Sequence, residues 1–310
     1  MPRYPLAQKL RNEEVRRKPD WLKVKLPTGS EYTKLHALMS QQNLHTVCEE
    51  AHCPNISECW NGGTATIMLM GDMCTRSCRF CMVKSGNPHG VLDPLEPIRV
   101  GEAIAELDLT YVVLTSVDRD DLSDGGASHF SKTVKEIRNR NSQIIIEVLI
   151  SDFQGDLEAL KVICNSNPSV ISHNIETTRS LSPKVRDPRA GYDQSLRVLG
   201  NIKSLSNGIF TKSSIMLGLG ESYDEICTAM HDLRAANVDI LTLGQYLQPS
   251  RSHLPVKEFI TPDLFDNYRT VAEHLGFLYV AAGPLVRSSY RTGEFFTEKV
   301  IRGNAILETI

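Results

Sequence analysis

The chain alternates short apolar runs with longer amphipathic segments from Thr64 onward. Six runs rich in β-branched residues predict strands, and five segments between them space apolar residues near 3.6 apart, which predicts crossover helices. Repeated strand–helix units with right-handed crossovers form a parallel sheet, and strands apolar on both faces are buried on both sides. We therefore predict an α/β fold, a partial (β/α)6 barrel with its helices outside. The six runs are TATIMLM, TYVVLTSV, QIIIEVLI, VISHNIE, TKSSIMLGL and ILTLGQYL, and a further strand-like run, FLYVAAG, follows near the C-terminus.

Polar residues and glycines cluster where the predicted strands end. In parallel α/β folds the site is built at the C-terminal ends of the strands, so we expect these residues to face one cavity. They are Ser116 and Asp118 after the second strand, Asn174 and Glu176 after the fourth, Gly220 and Glu221 after the fifth, and Gln245 and Gln248 after the sixth.

Composition narrows the class of protein. With 310 residues, 41% hydrophobic, 23% charged and a mean hydropathy of -0.21, the chain excludes collagen, coiled coil and wholesale disorder. With a net charge of -3, the chain has no overall positive field that would attract nucleic acid or an anionic membrane. No apolar run approaches the roughly 18 residues of a membrane span, and the N-terminus lacks the apolar stretch of a secretory signal, so we predict a reducing, cytoplasmic compartment.

Residues 1–34 form a basic arm with nine Lys or Arg against four acids. Such an arm is either a solvated extension that wraps the domain or a docking surface for an acidic partner. The sequence does not choose between the two.

Six of the eight cysteines lie within one 34-residue stretch. Disulfides suit short secreted domains, and this chain is neither short nor visibly secreted, so metal binding is the better interpretation. The remaining two, Cys164 and Cys227, lie in predicted helices and are expected to be small buried hydrophobes.

Cys74, Cys78 and Cys81 have the spacing C-x3-C-x2-C in the loop after the first strand. A structural zinc site needs four closed ligands, whereas three thiolates fit a 4Fe-4S cluster with one open iron. That iron can bind the amino and carboxylate groups of S-adenosylmethionine, and electron transfer then cleaves the sulfonium to a 5′-deoxyadenosyl radical. Phe80 is expected to pack near the adenine.

This pattern resembles the radical S-adenosylmethionine superfamily, with residues 64–250 as its barrel. The resemblance assigns further cofactor contacts along the predicted strand ends. Gly218 and Gly220 belong to a glycine-containing segment whose backbone approaches adenine, and Asn174 and Glu176 offer contacts to ribose or the methionine moiety. Ser116 and Asp118 belong to the same expected site, Asp118 as a partner of the cofactor amine or as a helix cap.

A second triplet, Cys48, Cys53 and Cys59, has the spacing C-x4-C-x5-C, which no common zinc module uses. A second cluster on these thiolates needs a fourth ligand or an open iron. His52 is sterically tied to Cys53, so the ligand is expected from elsewhere in the chain.

Together with R-S-S-Y at 287–290, the two triplets resemble the lipoyl synthase family. Further similar stretches are RKPDWLKVKLPTG, CEEAHCPNISECW, GDMCTRSCRFC, TSVDRDDLSDGGA and QYLQPSRSHLPV. The resemblance implies an auxiliary cluster held by the first triplet and Ser289, with Ser288 as the alternative serine. It divides the chain into an N-terminal extension (1–63), the barrel (64–250) and a C-terminal extension (251–310).

The resemblance also implies a reaction. Two 4Fe-4S clusters and S-adenosylmethionine would insert sulfur at carbons 6 and 8 of an octanoyl group on a carrier-protein lysine, consuming the auxiliary cluster. Expected partners are glycine-cleavage H-protein or a lipoyl domain of a 2-oxoacid dehydrogenase, and an external electron donor, with no nucleic acid or membrane. A monomer is expected. The alternatives are another sulfur-inserting radical enzyme, a non-catalytic iron–sulfur electron carrier and a zinc-stabilised interaction protein.

Overall fold

Helices and strands alternate along most of the chain. The computed structural model describes residues 17–23, 29–50, 53–61, 64–107, 109 and 111–289. Its helices are α1 (Ser30–Gln41), α2 (Val47–Glu50), α3 (Ile56–Asn61), α4 (Glu96–Glu106), α5 (Ala127–Arg140), α6 (Leu157–Asn165), α7 (Ser182–Val185), α8 (Tyr192–Leu205), α9 (Tyr223–Ala235) and α10 (Pro262–His274). Its strands are β1 (His45–Thr46), β2 (Thr66–Leu69), β3 (Met73–Cys74), β4 (Lys84–Ser85), β5 (Tyr111–Ser116), β6 (Ile145–Leu149), β7 (Val170–Ser172), β8 (Phe210–Leu217), β9 (Ile240–Gln245) and β10 (Tyr279–Gly283).

Eight strands form one sheet in the order β1-β2-β5-β6-β7-β8-β9-β10. The β1 strand pairs antiparallel with β2, and every other neighbouring pair is parallel. Within the described part of the chain the two sheet edges do not pair, so the barrel is open. The six predicted strands are β2 and β5 to β9, which confirms the partial barrel. The run FLYVAAG supplies β10, a seventh parallel strand.

Alternate residues of a strand face different cores, as β5 illustrates. Val112 and Leu114 pack with residues of the outer helices in the largest apolar cluster, whereas Tyr111 and Val113 belong to a separate cluster with Ile145. All four residues from 111 to 114 are buried, because the strand has helices on one side and the barrel interior on the other. Each such side chain contributes roughly 1.5–3 kcal/mol when removed from water.

A buried ion pair occupies part of the barrel interior. Lys212 donates to both carboxylate oxygens of Glu147, at 2.8 and 2.9 Å, and Glu147 also accepts from Ser172 at 2.6 Å and from Tyr111. Both charges are almost fully buried, so they depend on these bonds. Tyr111 begins β5 and Lys212 lies near the start of β8, which leaves the carboxyl ends of the strands for a cavity.

Candidate functional site

A cavity of about 600 Å³ lies at the carboxyl ends of the strands. Both cysteine triplets and the distant R-S-S-Y segment contribute to its wall. The lining includes Cys48, Cys53 and Cys59 from the first triplet, Cys74, Cys78 and Cys81 from the second, and Arg287, Ser288 and Ser289 from the R-S-S-Y motif, whose Tyr290 lies outside the described residues.

The second triplet lies in the loop that follows β2. Backbone N–H groups point at its sulfurs: Arg76 N donates to Cys74 Sγ at 3.4 Å and Asp187 N to Cys78 Sγ at 3.3 Å. Burial raises the pKa of Cys74 and of Cys78 to about 12 and that of Cys81 to about 11. All eight cysteines of the chain are free thiols. Deprotonation of the triplet therefore needs a compensating positive centre, which iron supplies.

Arg76, between the first two cysteines of this loop, anchors it to the barrel. Its guanidinium is buried and binds Asp120 at 2.8 Å and Asp152 at 2.7 Å, with Asp118 at 3.4 Å. Arg189 binds Asp120 as well, at 3.1 Å. The loop is thus tied to the ends of β5 and β6 by charge-assisted hydrogen bonds, which are stronger than neutral ones.

Two buried polar atoms near the cysteine loop are left without a hydrogen-bond partner among the described residues: Ser116 Oγ and Asn174 Oδ1. Both residues line the cavity, as do Phe80, Asp118 and Glu176. A buried polar group without a partner is costly and points to a missing ligand. The expected contacts at these five positions therefore converge on one space.

The surroundings raise the pKa of two acids in this group, Asp118 and Glu176. Burial raises the pKa of Asp118 to about 6, although Arg76 opposes the rise. Burial also raises the pKa of Glu176, whose side chain accepts a hydrogen bond from Asn174 at 3.1 Å. Glu176 has a φ of 66°, an unfavourable conformation for a residue with a side chain, and such strain is common at functional sites.

Gly218 and Gly220 differ from the expectation, since neither lines the cavity. Gly218, with a φ of 100°, packs so closely that an added Cβ would lie 2.3 Å from Gln245 Nε2 and from Glu258 O. Its carbonyl accepts hydrogen bonds from the backbone of Lys257 and Glu258. Glu221 does not line the cavity either. Its carboxylate turns back and accepts hydrogen bonds from the backbone N–H groups of Gly218 and Leu219.

The first triplet is built on the short helices α2 and α3 and the turn between them. Cys53 N donates to Cys48 O at 2.9 Å and Cys59 N to Asn55 O at 3.0 Å. Burial raises the pKa of Cys48 to about 11 and also raises that of Cys53. No three His, Cys, Asp or Glu side chains of the described residues form a site for a single metal ion. As donors, three thiols suit iron in a cluster. Ser289 lines the same cavity and would be the nearby oxygen donor from the R-S-S-Y motif.

Several cavity residues were missed by sequence reasoning. Asp152 and His173 follow β6 and β7, where the strand-end rule could have found them, and Arg186 follows the short helix α7, where no sequence pattern pointed to it. His173 bonds to the Ile150 carbonyl at 3.0 Å and to Ser195 Oγ at 2.9 Å, and Arg186 donates to the same hydroxyl. Burial lowers the pKa of His173 to about 4, so it is neutral.

The comparisons with known proteins agree with this geometry. The Radical SAM superfamily model matches residues 68–233, more than half of the chain, so the fold and the three-thiol loop define a radical S-adenosylmethionine protein. The model for the N-terminal domain of lipoyl synthase matches residues 3–53. Lipoyl synthase of Thermus thermophilus is 56% identical over 297 residues, covering 96% of this chain and 92% of the relative. Lipoyl synthase of Myxococcus xanthus is 56% identical over 283 residues, covering 91% and 95%. The chain belongs to the lipoyl synthase family.

Solved structures agree on the fold. Methylornithine synthase matches with a TM-score of 0.54 at 14% identity, covering 91% of this chain and 90% of that one. Streptococcus suis SuiB bound to its precursor peptide SuiA gives 0.54 at 11% identity, covering 90% and 59%. At these identities the likeness concerns the fold alone. No helix of the described residues has the length and apolar character of a membrane span.

Proposed function

We propose that this protein is a lipoyl synthase, which inserts two sulfur atoms at carbons 6 and 8 of a protein-bound octanoyl-lysine. The observation that supports the proposal most directly is the meeting of both cysteine triplets and Ser289 around one cavity. Removing hydrogen from an unactivated carbon and delivering sulfur to it are separate tasks, so a site of this kind needs two centres within reach of one substrate.

Members of this superfamily use a 4Fe-4S cluster and S-adenosylmethionine. Cys74, Cys78 and Cys81 would hold that cluster, and Cys48, Cys53, Cys59 and Ser289 would hold a second. When bound, the first supplies the electron that cleaves S-adenosylmethionine and the second supplies the sulfur. The unpartnered Ser116 Oγ and Asn174 Oδ1, together with Phe80, Asp118 and Glu176, would orient the cofactor.

The octanoyl chain needs an apolar path between the two centres. Met68, Leu149, Ile215 and Met216 line the cavity and supply apolar surface that excludes water from a reactive carbon. The carrier would be glycine-cleavage H-protein or a lipoyl domain of a 2-oxoacid dehydrogenase, and electrons would come from an external donor. Carriers with acidic surfaces would be steered by the basic arm, most of which lies outside the described residues. The cytoplasmic location and the monomeric state of the enzyme stay predictions.

Mass spectrometry of an octanoylated carrier peptide tests the proposal. The iron-reconstituted protein is incubated anaerobically with S-adenosylmethionine and a strong reductant. We expect a mass gain corresponding to two sulfurs, with about two 5′-deoxyadenosines per lipoyl product because two hydrogens must be removed. Deoxyadenosine without sulfur transfer would retain a radical enzyme but refute this substrate. If neither product forms, the cysteines would be left with a carrier or structural role.

A further inference from the structure

Asn55 ties the first cysteine triplet to the R-S-S-Y segment. Its Nδ2 donates to Leu285 O at 2.6 Å, across 230 residues of sequence, and the side chain is buried. Its backbone carbonyl accepts from Cys59 N at 3.0 Å. One residue therefore connects the auxiliary cysteines to the backbone four residues before Ser289.

Gly244 provides a second contact with the same segment. An added Cβ on this β9 residue would lie 2.0 Å from Val286 O, so only glycine lets the segment approach the strand this closely. Its register partner on β10 is Gly283, where an added Cβ would meet Val286 Cγ2 at 3.4 Å, an ordinary contact. The requirement for glycine is thus specific to position 244.

Both contacts hold the backbone immediately before the serines. We propose that Asn55 and Gly244 are positioning residues that dock the segment 285–289 onto the barrel and thereby bring Ser289 to the auxiliary cysteines. The proposal rests on the proposed function, because the ligand role of Ser289 belongs to it. A single hydroxyl is a weak iron ligand, so its site depends on how well the surrounding contacts fix the chain.

The two contacts fix the backbone at 285 and 286, three and four residues before Ser289. They would hold the segment in place while leaving the Ser289 side chain free to serve as a ligand. Arg287, in the same segment, lines the cavity and lies near enough to Cys53 for their charges to interact. Docking of the segment 285–289 would therefore also bring the Arg287 guanidinium near the auxiliary cysteines, which are anionic thiolates when they hold a cluster.

The variant Asn55→Asp keeps the side-chain shape but removes the donor and places a carboxylate against the Leu285 carbonyl. Its control is Asn61→Asp, which adds the same charge in the same region at a side chain whose amide binds Ser57 O. The variant Gly244→Ala places a methyl group against Val286 O, and Gly283→Ala is its control on the neighbouring strand.

The first measurement is hydrogen exchange in the apo protein, which requires no cluster. We expect the 284–289 peptide to exchange at least about fivefold faster in Asn55→Asp and Gly244→Ala, the factor that one buried hydrogen bond is worth. The β6 peptide 145–149, which contains no substituted residue, serves as an internal reference. This peptide and both control variants should exchange as in wild type.

The second measurement uses reconstituted protein. We expect the Mössbauer spectrum of the auxiliary cluster to change and lipoyl product to fall roughly 10–100-fold, while 5′-deoxyadenosine formation stays within about twofold of wild type. Exchange and product yields equal to those of the controls would overturn the proposal. Faster exchange throughout the sheet with loss of 5′-deoxyadenosine in both variants would also refute a local role. Wild-type protein without lipoyl product would refute the proposed function, but the apo exchange would still decide the docking.

Discussion

Replacing Arg76 by Gln would remove the buried cation that anchors the Cys74–Cys81 loop. The side chain of Arg76 is 2% exposed, and it holds Asp152, whose side chain is 0% exposed, through hydrogen bonds of 2.7 and 3.0 Å. It also binds Asp120 at 2.8 and 2.9 Å. After the substitution both carboxylates lose their principal partner in a poorly hydrated environment.

The magnitude follows from two independent estimates. Breaking a buried ion pair by removing one partner costs roughly 3–5 kcal/mol. Burial pushes the pKa of Asp152 upward, but hydrogen bonds and charge from Arg76 outweigh it and hold the pKa at about 2, against an ordinary 3.8. That difference corresponds to about 2–3 kcal/mol. Because domains are stable by only about 5–15 kcal/mol, the loss should be large.

The assay is urea denaturation of the apo protein at pH 7 under anaerobic conditions, combined in a cycle with Asp152→Asn. We expect Arg76→Gln to lose at least about 3 kcal/mol and Asp152→Asn to recover part of that loss in the double variant. Arg140→Gln breaks an exposed pair with Glu136 and should cost under about 1 kcal/mol. A cost of less than about 1 kcal/mol for Arg76→Gln, or simple additivity of the two substitutions, would show that Arg76 is not the anchor of these carboxylates.

Three further predictions concern the cavity. Cys74→Ala should abolish 5′-deoxyadenosine formation, whereas Cys53→Ala should preserve it and abolish sulfur insertion; equal losses in both would argue against two separate centres. Asn174→Ala should raise the KM for S-adenosylmethionine roughly tenfold or more, since one hydrogen bond to a charged group contributes about 1.5–3 kcal/mol, and an unchanged KM would remove this contact from the site. His173, with its pKa lowered to about 4, binds its proton more weakly when folded, so its contribution to stability is present above pH 6.5 and lost as the pH falls toward 4. Denaturation of wild type and His173→Asn between pH 7 and 4 should show a stability difference that shrinks by up to about 3 kcal/mol, and a constant difference would exclude this role.

Local pattern was enough to predict the strands and the second triplet. The β5 run TYVVLTSV is apolar on both faces, which indicates burial wherever the strand lies in a parallel sheet. Cys74, Cys78 and Cys81 lie so close in sequence that any folded loop keeps them near one another. The strand-end rule also predicted that Ser116 and Asn174 would line the cavity, because parallel strands end at one edge of the sheet.

The rule failed at Gly218 and Gly220, because a strand end does not reveal which way the following turn leads. There the turn packs against Gln245 and the 257–258 backbone instead of facing the cavity. Arg76 shows a similar limit: its place between two cysteines was visible, but its carboxylate partners come from loops after β5 and β6.

The sequence by itself determined the alternation of elements, the two thiol triplets and the family resemblance, since each depends on neighbouring residues. Only the tertiary structure decided that Cys48–Cys59, Cys74–Cys81 and 287–289 share one cavity. It also decided that Asn55 and Gly244 hold the last of these segments in place. Contacts between residues distant in sequence, up to 230 positions for Asn55 and Leu285, depend on how the whole chain packs, and no spacing along the sequence encodes them.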